Sequence, residues 1–250
     1  MSITSFLKTS LTNFQSFLSF EPSSSLAFLT PSSPARSGFL GLLLGSLLTF
    51  HLLLPLLLPS LLKWCLYTVS LLTFHVLEYV ITALYNGRVL TSTSFLVDHS
   101  EAYTVAAVAS WTEYWFRTFL FGPTPLTNLN YLGISLVLLG QSLRSLSLIT
   151  CGSNFNHIIQ VEGSNVNKRQ RLVREGVYRV FRHPSYTGWF YWSVGTQCIL
   201  GNPICIVAYT YVSWKFFKER IPFEEKTLEG RFKEYKEYKE KSWVGIPFIR

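Results

Sequence analysis

Charge is scarce in this chain. Asp, Glu, Lys and Arg make up 14% of the 250 residues while 48% are apolar, a balance that excludes an ordinary soluble globule and points to an integral membrane protein. Cysteine is scarce too. The four, Cys65, Cys151, Cys198 and Cys205, show no Cys-x-x-Cys spacing, so neither a disulfide framework nor a zinc site is expected. The histidines, His51, His75, His99, His157 and His183, are scattered, and no bound metal is expected. Also missing are a Gly-x-Ser-x-Gly elbow, a His-Glu-x-x-His pair and a Gly-rich phosphate loop, which sets aside the hydrolases, metalloproteases and nucleotide-binding enzymes built on them.

Positive charge is present but lopsided. Residues 1–150 carry six Lys/Arg against five Asp/Glu, whereas residues 151–250 carry sixteen against nine. Because these cations flank hydrophobic runs, cytosolic retention and attraction to anionic lipid headgroups explain the net charge of +8 without nucleic acid as a partner.

Long apolar runs dominate the rest. Residues 1–37 are rich in Ser and Thr with three prolines and lack a signal-peptide layout, so a tail is expected, with Phe6, Phe14, Phe17 and Phe20 able to rest on the membrane. Apolar stretches then follow at 38–62, 64–85, 103–121, 126–150, 186–200 and 203–217, and about 20 such residues suffice for a helix to cross the hydrocarbon. Gly41 and Gly45 form a Gly-x-x-x-Gly pair suited to helix packing. Pro55 and Pro59 mark an end or kink of the first helix. Glu78 sits one turn from His75 and is read as satisfied by it or by a partner helix. Glu113 and Arg117 interrupt the third run, and Arg144, near the end of the fourth, is expected to snorkel to the headgroups.

The expected fold is therefore all-α and polytopic, with about six transmembrane helices. Three regions are expected: a tail at 1–37, a four-helix membrane region at 38–150 and a catalytic region at 151–250. The last comprises a connector, a helical hairpin at 186–217 turning at Gly201-Asn202-Pro203, and a charged C-terminal segment. The two basic segments flank the hairpin and so share one side, which the positive-inside rule makes cytosolic, together with both termini.

Polar residues gather on that side. Asn154, Asn156, His157 and Gln160 follow the fourth run, Tyr178 and Arg182-His183-Pro184-Ser185-Tyr186 precede the fifth, and Arg220, Glu224 and Glu225 follow the sixth. Pro184 biases His183 toward an extended conformation, so the chain bends there and presents His183 and Tyr186. Taken singly, Tyr178, Trp189, Tyr191 and Trp192 also suit an interfacial aromatic belt, and the Lys/Glu alternation at 233–241 suits a solvated helix.

Several of these runs are similar to a known family. Gly152-Ser153-Asn154-Phe155-Asn156-His157, the stretch from Arg182 through Gly188-Trp189-Phe190-Tyr191-Trp192, Gly195-Thr196-Gln197, Asn202-Pro203 and Gly245-Ile246-Pro247-Phe248-Ile249 resemble the isoprenylcysteine carboxyl methyltransferases. The likeness runs from about Arg144 to the C-terminus and departs most at 161–171. It implies an S-adenosylmethionine-dependent enzyme of the endoplasmic reticulum membrane that esterifies the C-terminal carboxylate of prenylated, CaaX-processed proteins such as Ras- or Rho-type GTPases. By position, methyl-donor contacts would fall on Gln160, Gln170, Arg171, Leu172, Val173, Tyr178, His183, Pro184, Ser185, Tyr186, Glu224 and Glu225. Arg220 would face the substrate carboxylate, with Trp189 beside the substrate.

Physical chemistry agrees with that implication. A C-terminal carboxyl group has a reference pKa of ~3.3 to 3.7 and is already ionised near neutral pH, so methyl transfer to it needs alignment and one cation rather than a nucleophile and base. Three alternatives stand beside it. They are a membrane sterol reductase using NADPH, a phospholipid N-methyltransferase sharing the donor, and a scaffold without catalysis. The reductase is disfavoured because the sequence after the sixth run reads Arg220-Ile221-Pro222-Phe223-Glu224-Glu225 and not its Arg-Asp-x-x-x-Cys run.

Overall fold

A computed structural model describes residues 30–97, 100–155 and 171–250. Most of the expected tail, with its four phenylalanines, lies outside the described residues, as do Asn156, His157, Gln160 and Gln170.

The described residues form seven α-helices: α1 (Pro34–Leu57), α2 (Leu62–Tyr85), α3 (Glu101–Phe121), α4 (Asn128–Cys151), α5 (Pro184–Leu200), α6 (Pro203–Arg231) and the short α7 (Tyr235–Lys241). Proline starts α1, α5 and α6, where its missing N–H has no helical partner to lose. Gly201, at φ 68°, ends α5 in the left-handed conformation that glycine adopts freely, and its N–H returns to Gln197 O at 2.9 Å. Pro55 lies within α1 and Pro59 opens the turn before α2, so the first helix ends between them. By length and hydropathy, α1, α2 with its leading turn, and α4 with its trailing turn could each cross a membrane on composition alone.

α5 is the centre of the bundle. Thirteen of its seventeen residues are buried, although it is only ~25 Å long. It packs on α4 with the backbones almost touching. A Cβ on Gly140 would sit 2.6 Å from Gly188 O and from Trp192 N, and one on Gly195 would sit 2.9 Å from Gly133 O. Small residues at a membrane interface let helices close to van der Waals distance, and here they do so twice along one seam. Gly41 and Gly45 make no comparably close approach among the described residues: a Cβ at Gly45 would meet nothing within 4 Å, and one at Gly41 would make ordinary contact with Phe95 at 3.7 Å.

The charges that interrupt α3 are used inside the fold. Both Glu113 oxygens accept backbone N–H groups at the start of α6, from Ile204 at 2.9 Å and Cys205 at 2.8 Å, satisfying orphan donors that lipid cannot. Arg117 donates to Gly201 O. Arg144 does not snorkel, contrary to the sequence-based expectation. It is buried and grips Glu78 of α2 through Nε at 2.6 Å and Nη2 at 2.9 Å; with each charge buried, the other is the partner that keeps it from standing uncompensated. His75, meanwhile, shares its ring nitrogens with Phe95 O at 2.8 Å and the Tyr103 hydroxyl at 3.2 Å.

After α7 the chain returns beneath the start of α5. Arg182 N donates to Trp243 O and Trp243 N to Val180 O, both at 2.9 Å, forming the bridge between Phe181 and Trp243. Val244, Ile246 and Ile249 then pack with Phe190, Phe217 and Ile221.

Candidate functional site

A cavity of about 720 Å³ opens where these helix ends meet. The start of α5 forms one wall. Pro184 begins the helix, His183 precedes it in a non-helical conformation (φ −127°, ψ 56°), and Tyr186 points across to α6. Arg220 and Glu224, one turn apart on α6, share its hydroxyl. Arg220 Nε donates to Tyr186 Oη at 2.9 Å, and that hydroxyl donates to Glu224 Oε2 at 2.5 Å. The Arg220 guanidinium also lies 5.6 Å from the ring centres of both Tyr186 and Phe216. The His183 ring is parallel to that of Tyr186, at 4° and 5.5 Å, giving two aromatic planes beside an anion and a cation.

The opposite wall comes from the connector. Arg171, Leu172, Val173 and Tyr178 all line the cavity. Arg171 N donates to Asn154 Oδ1 at 3.2 Å, which draws the two described ends of the connector together. Tyr178 is fixed from α7, whose Tyr238 hydroxyl donates to its carbonyl at 2.6 Å. Burial pushes the Tyr178 phenol well up, with Cys151, Tyr238 and Glu224 adding to the rise, so it is neutral at any physiological pH.

Pro184, Ser185 and Trp189 also line the cavity; Glu225 does not. Glu225 points away, with Oε1 accepting from Arg182 Nε at 2.6 Å and His183 Nε2 at 3.1 Å, and Oε2 facing Lys239 Nζ at 2.7 Å. Burial alone would raise its pKa, but the hydrogen bonds from His183, Lys239 and Arg182 outweigh that and hold it down to about 2. The helix read as solvated at 233–241 is therefore only partly so: Tyr235 and Tyr238 are buried and Lys239 reaches the cluster. Their spacing, three residues apart on one helical face, was the available signal.

Sequence reasoning missed the other half of the cavity. Ala102, Val105, Ala106 and Ala109 of α3 face Cys205, Ala208, Tyr209 and Val212 of α6 along an apolar arm leading away from Arg220. Val105 and Val212 line it while remaining 67% and 61% exposed, so this seam opens sideways on the surface that lipid would cover. Nothing local in α3 marked it, since the small residues gain meaning only opposite α6. Among the described residues no cluster of His, Cys, Asp and Glu could hold a metal ion.

Comparison with known proteins bears on this arrangement. The model of the isoprenylcysteine carboxyl methyltransferase family matches residues 132–230, from the glycine seam of α4 to the end of α6. Proteins named protein-S-isoprenylcysteine O-methyltransferase are similar over most of the chain. That of Xenopus laevis is 48% identical over 74% of this chain and 64% of its own length. That of Tribolium castaneum is 44% identical over 86% and 75%, respectively, and that of Homo sapiens 46% over 74% and 64%. The match thus spans somewhat less than two thirds of the frog and human proteins. A solved structure of a eukaryotic intramembrane Ras methyltransferase superposes with a TM-score of 0.78 at 38% identity, over 100% of this chain and 88% of that one. By these identities and coverages, the chain belongs to the isoprenylcysteine carboxyl methyltransferase family.

Proposed function

We propose that this protein transfers a methyl group from S-adenosylmethionine to the C-terminal carboxylate of a prenylated cysteine, on proteins released by CaaX processing. The observation that carries this reading is one continuous cavity with two unlike ends. Arg220, Tyr186 and Glu224 form a polar head, and the seam between α3 and α6 forms an apolar arm open to the side. A carboxylate attached to a lipid needs both.

The polar head fits a nucleoside sulfonium. Glu224 accepts hydrogen bonds from ribose or amino groups, the planes of His183, Tyr186 and Tyr178 border a purine or a cation, and the strip Arg171, Leu172 and Val173 offers backbone groups. Pro184 and Ser185 complete this side, and Gln160 and Gln170 of the connector belong to the same assignment. Glu225 supports it from behind. When bound, the donor supplies an electrophilic methyl group for in-line displacement.

The chain's own residues supply the rest. Arg220 holds the acceptor carboxylate bidentately, since a guanidinium stays charged and matches its geometry. Cation–π contact with Tyr186 and Phe216 and the hydrogen bond to Tyr186 keep that guanidinium aimed into the cavity. Trp189 and Phe217 close the wall beside it, stripping water from the carboxylate so that it attacks more readily. No base is required, because the carboxylate is already ionised.

Access follows from the same shape. The prenyl chain enters sideways from the bilayer, where each buried methylene contributes ~0.8 kcal/mol, and the donor enters from the cytosol. Six crossings with both termini cytosolic, in the endoplasmic reticulum, place the polar head at the face where prenylated small GTPases arrive. The basic segments on either side of the hairpin support that orientation.

The test uses membranes containing the protein, labelled S-adenosylmethionine and N-acetyl-farnesylcysteine. Base-labile methyl ester is expected, and its loss in Arg220→Ala and Glu224→Ala with the protein still inserted. No ester from the intact protein overturns the reading. NADPH-dependent sterol turnover or methylation of phosphatidylethanolamine would replace it with the matching rival.

A further inference from the structure

The turn at 182–186 is gripped from two sides by carboxylates that stand outside the cavity. From one side Glu78 of α2, 1% exposed, holds Arg144 through two hydrogen bonds of 2.6 and 2.9 Å, and Arg144 Nη1 goes on to donate to Ser185 Oγ at 2.9 Å. From the other side Glu225, 2% exposed, holds Arg182 Nε at 2.6 Å and His183 Nε2 at 3.1 Å, and is itself approached by Lys239. Arg144, Arg182, His183 and Ser185 line the cavity, whereas neither carboxylate does.

Buried ion pairs contribute little net stability, because desolvating two charges costs about what their attraction returns. Two such clusters flanking one five-residue turn are better accounted for by geometry. Ser185 is pinned through Arg144, and His183 is held in the plane that stacks on Tyr186. Tyr186 in turn bridges Arg220 and Glu224. The backbone is arranged to allow this: a Cβ at Gly188 would lie 2.7 Å from Arg144 N, so only glycine lets Arg144 come so close to the start of α5.

We propose that Glu78 and Glu225 are positioning residues that preset the turn at 182–186 for the methyl donor, and that they govern donor affinity while leaving acceptor binding to Arg220. This rests on the assignment of that turn to the donor. Glu225 acts through Arg182 and His183 and does not touch the donor. Glu78, deep between helices, acts through Arg144 and Ser185.

The experiment measures equilibrium binding of labelled S-adenosylmethionine to the purified full chain, together with KM for donor and for N-acetyl-farnesylcysteine, in Glu78→Gln and Glu225→Gln. Arg144→Lys, which keeps the charge but loses the fork, and Lys239→Met, which removes the outermost partner, are milder companions that retain a folded protein if a glutamine variant does not insert. Lys241→Ala is the surface control. The donor Kd and KM are expected to rise about tenfold in the glutamine variants, ~1.4 kcal/mol, and less in the companions, with acceptor KM and the control unchanged. Unaltered donor affinity, or both KM values moving together, overturns the proposal. A wild-type protein that binds donor yet forms no ester would remove the methyl-ester reading while the binding comparison still decides this one.

Discussion

Tyr186 and Arg220, thirty-four residues apart, meet through a hydrogen bond of 2.9 Å from guanidinium to phenol, and the same phenol donates to Glu224 at 2.5 Å. Cation and anion of the polar head are thereby held at a fixed separation by one hydroxyl, which neither could achieve on its flexible side chain alone. Tyr186→Phe removes the hydroxyl while keeping the ring. Hydrogen bonds to charged groups are worth about 1.5–3 kcal/mol, so kcat/KM for the methyl ester is expected to fall at least about tenfold with insertion unchanged. Initial rates at varied acceptor check this.

The α4–α5 seam admits no side chain. Gly140→Leu or Gly195→Leu would force apart backbones that now approach within 3 Å of a hypothetical Cβ, and overpacking of this kind costs at least ~1–3 kcal/mol. Thermal unfolding in detergent is expected to shift down strongly for both, whereas Gly45→Leu, facing open space, leaves the midpoint near that of the wild type.

Much of the fold was readable from apolar runs, because all six expected runs fall within a few residues of a helix, namely α1, α2, α3, α4, α5 and the first part of α6. What was not readable depends on partners distant in sequence. Arg144 looked like a headgroup anchor because Glu78 is 66 residues away, and the apolar arm exists only where α3 faces α6. α6 itself runs on unbroken through Pro222 to Arg231, beyond the expected end of the span. That continuation puts Arg220 and Glu224 on one helical face rather than in a loop. The glycine seam was missed because its members are spaced seven apart on two helices, unlike the Gly-x-x-x-Gly pair in α1, where among the described residues a Cβ at Gly45 would meet nothing within 4 Å.

The Glu225 cluster predicts a pH signature. Its folded pKa, about 2, lies below the ordinary carboxylate value of 4.5, so the stabilisation it contributes is fully present above about pH 4.5 and is lost as the pH falls toward 2. Unfolding midpoints measured across that window are expected to drop more steeply for the wild type than for Glu225→Gln, whose stability is already lower at neutral pH.

The C-terminal strap is expected to be indispensable. Ile246 is buried against Phe217 and Ile221, and Tyr191 Oη donates to Gly245 O at 3.0 Å. Ile246→Ala should cost about 2–5 kcal/mol. Deletion of residues 243–250 should abolish both ester formation and donor binding, as judged by activity and by labelled S-adenosylmethionine retained on the purified protein.

Arg220 as the acceptor clamp is the centre of the account. The most direct measurement compares Arg220→Ala with the wild type in two ways at once: affinity for S-adenosylmethionine, and kcat/KM for N-acetyl-farnesylcysteine. The account predicts near-normal donor affinity and a loss of roughly 100-fold or more in kcat/KM, as expected when a buried charge-assisted pair worth about 3 kcal/mol is removed. Substantial ester formation by Arg220→Ala, with the acceptor KM unmoved, would contradict it.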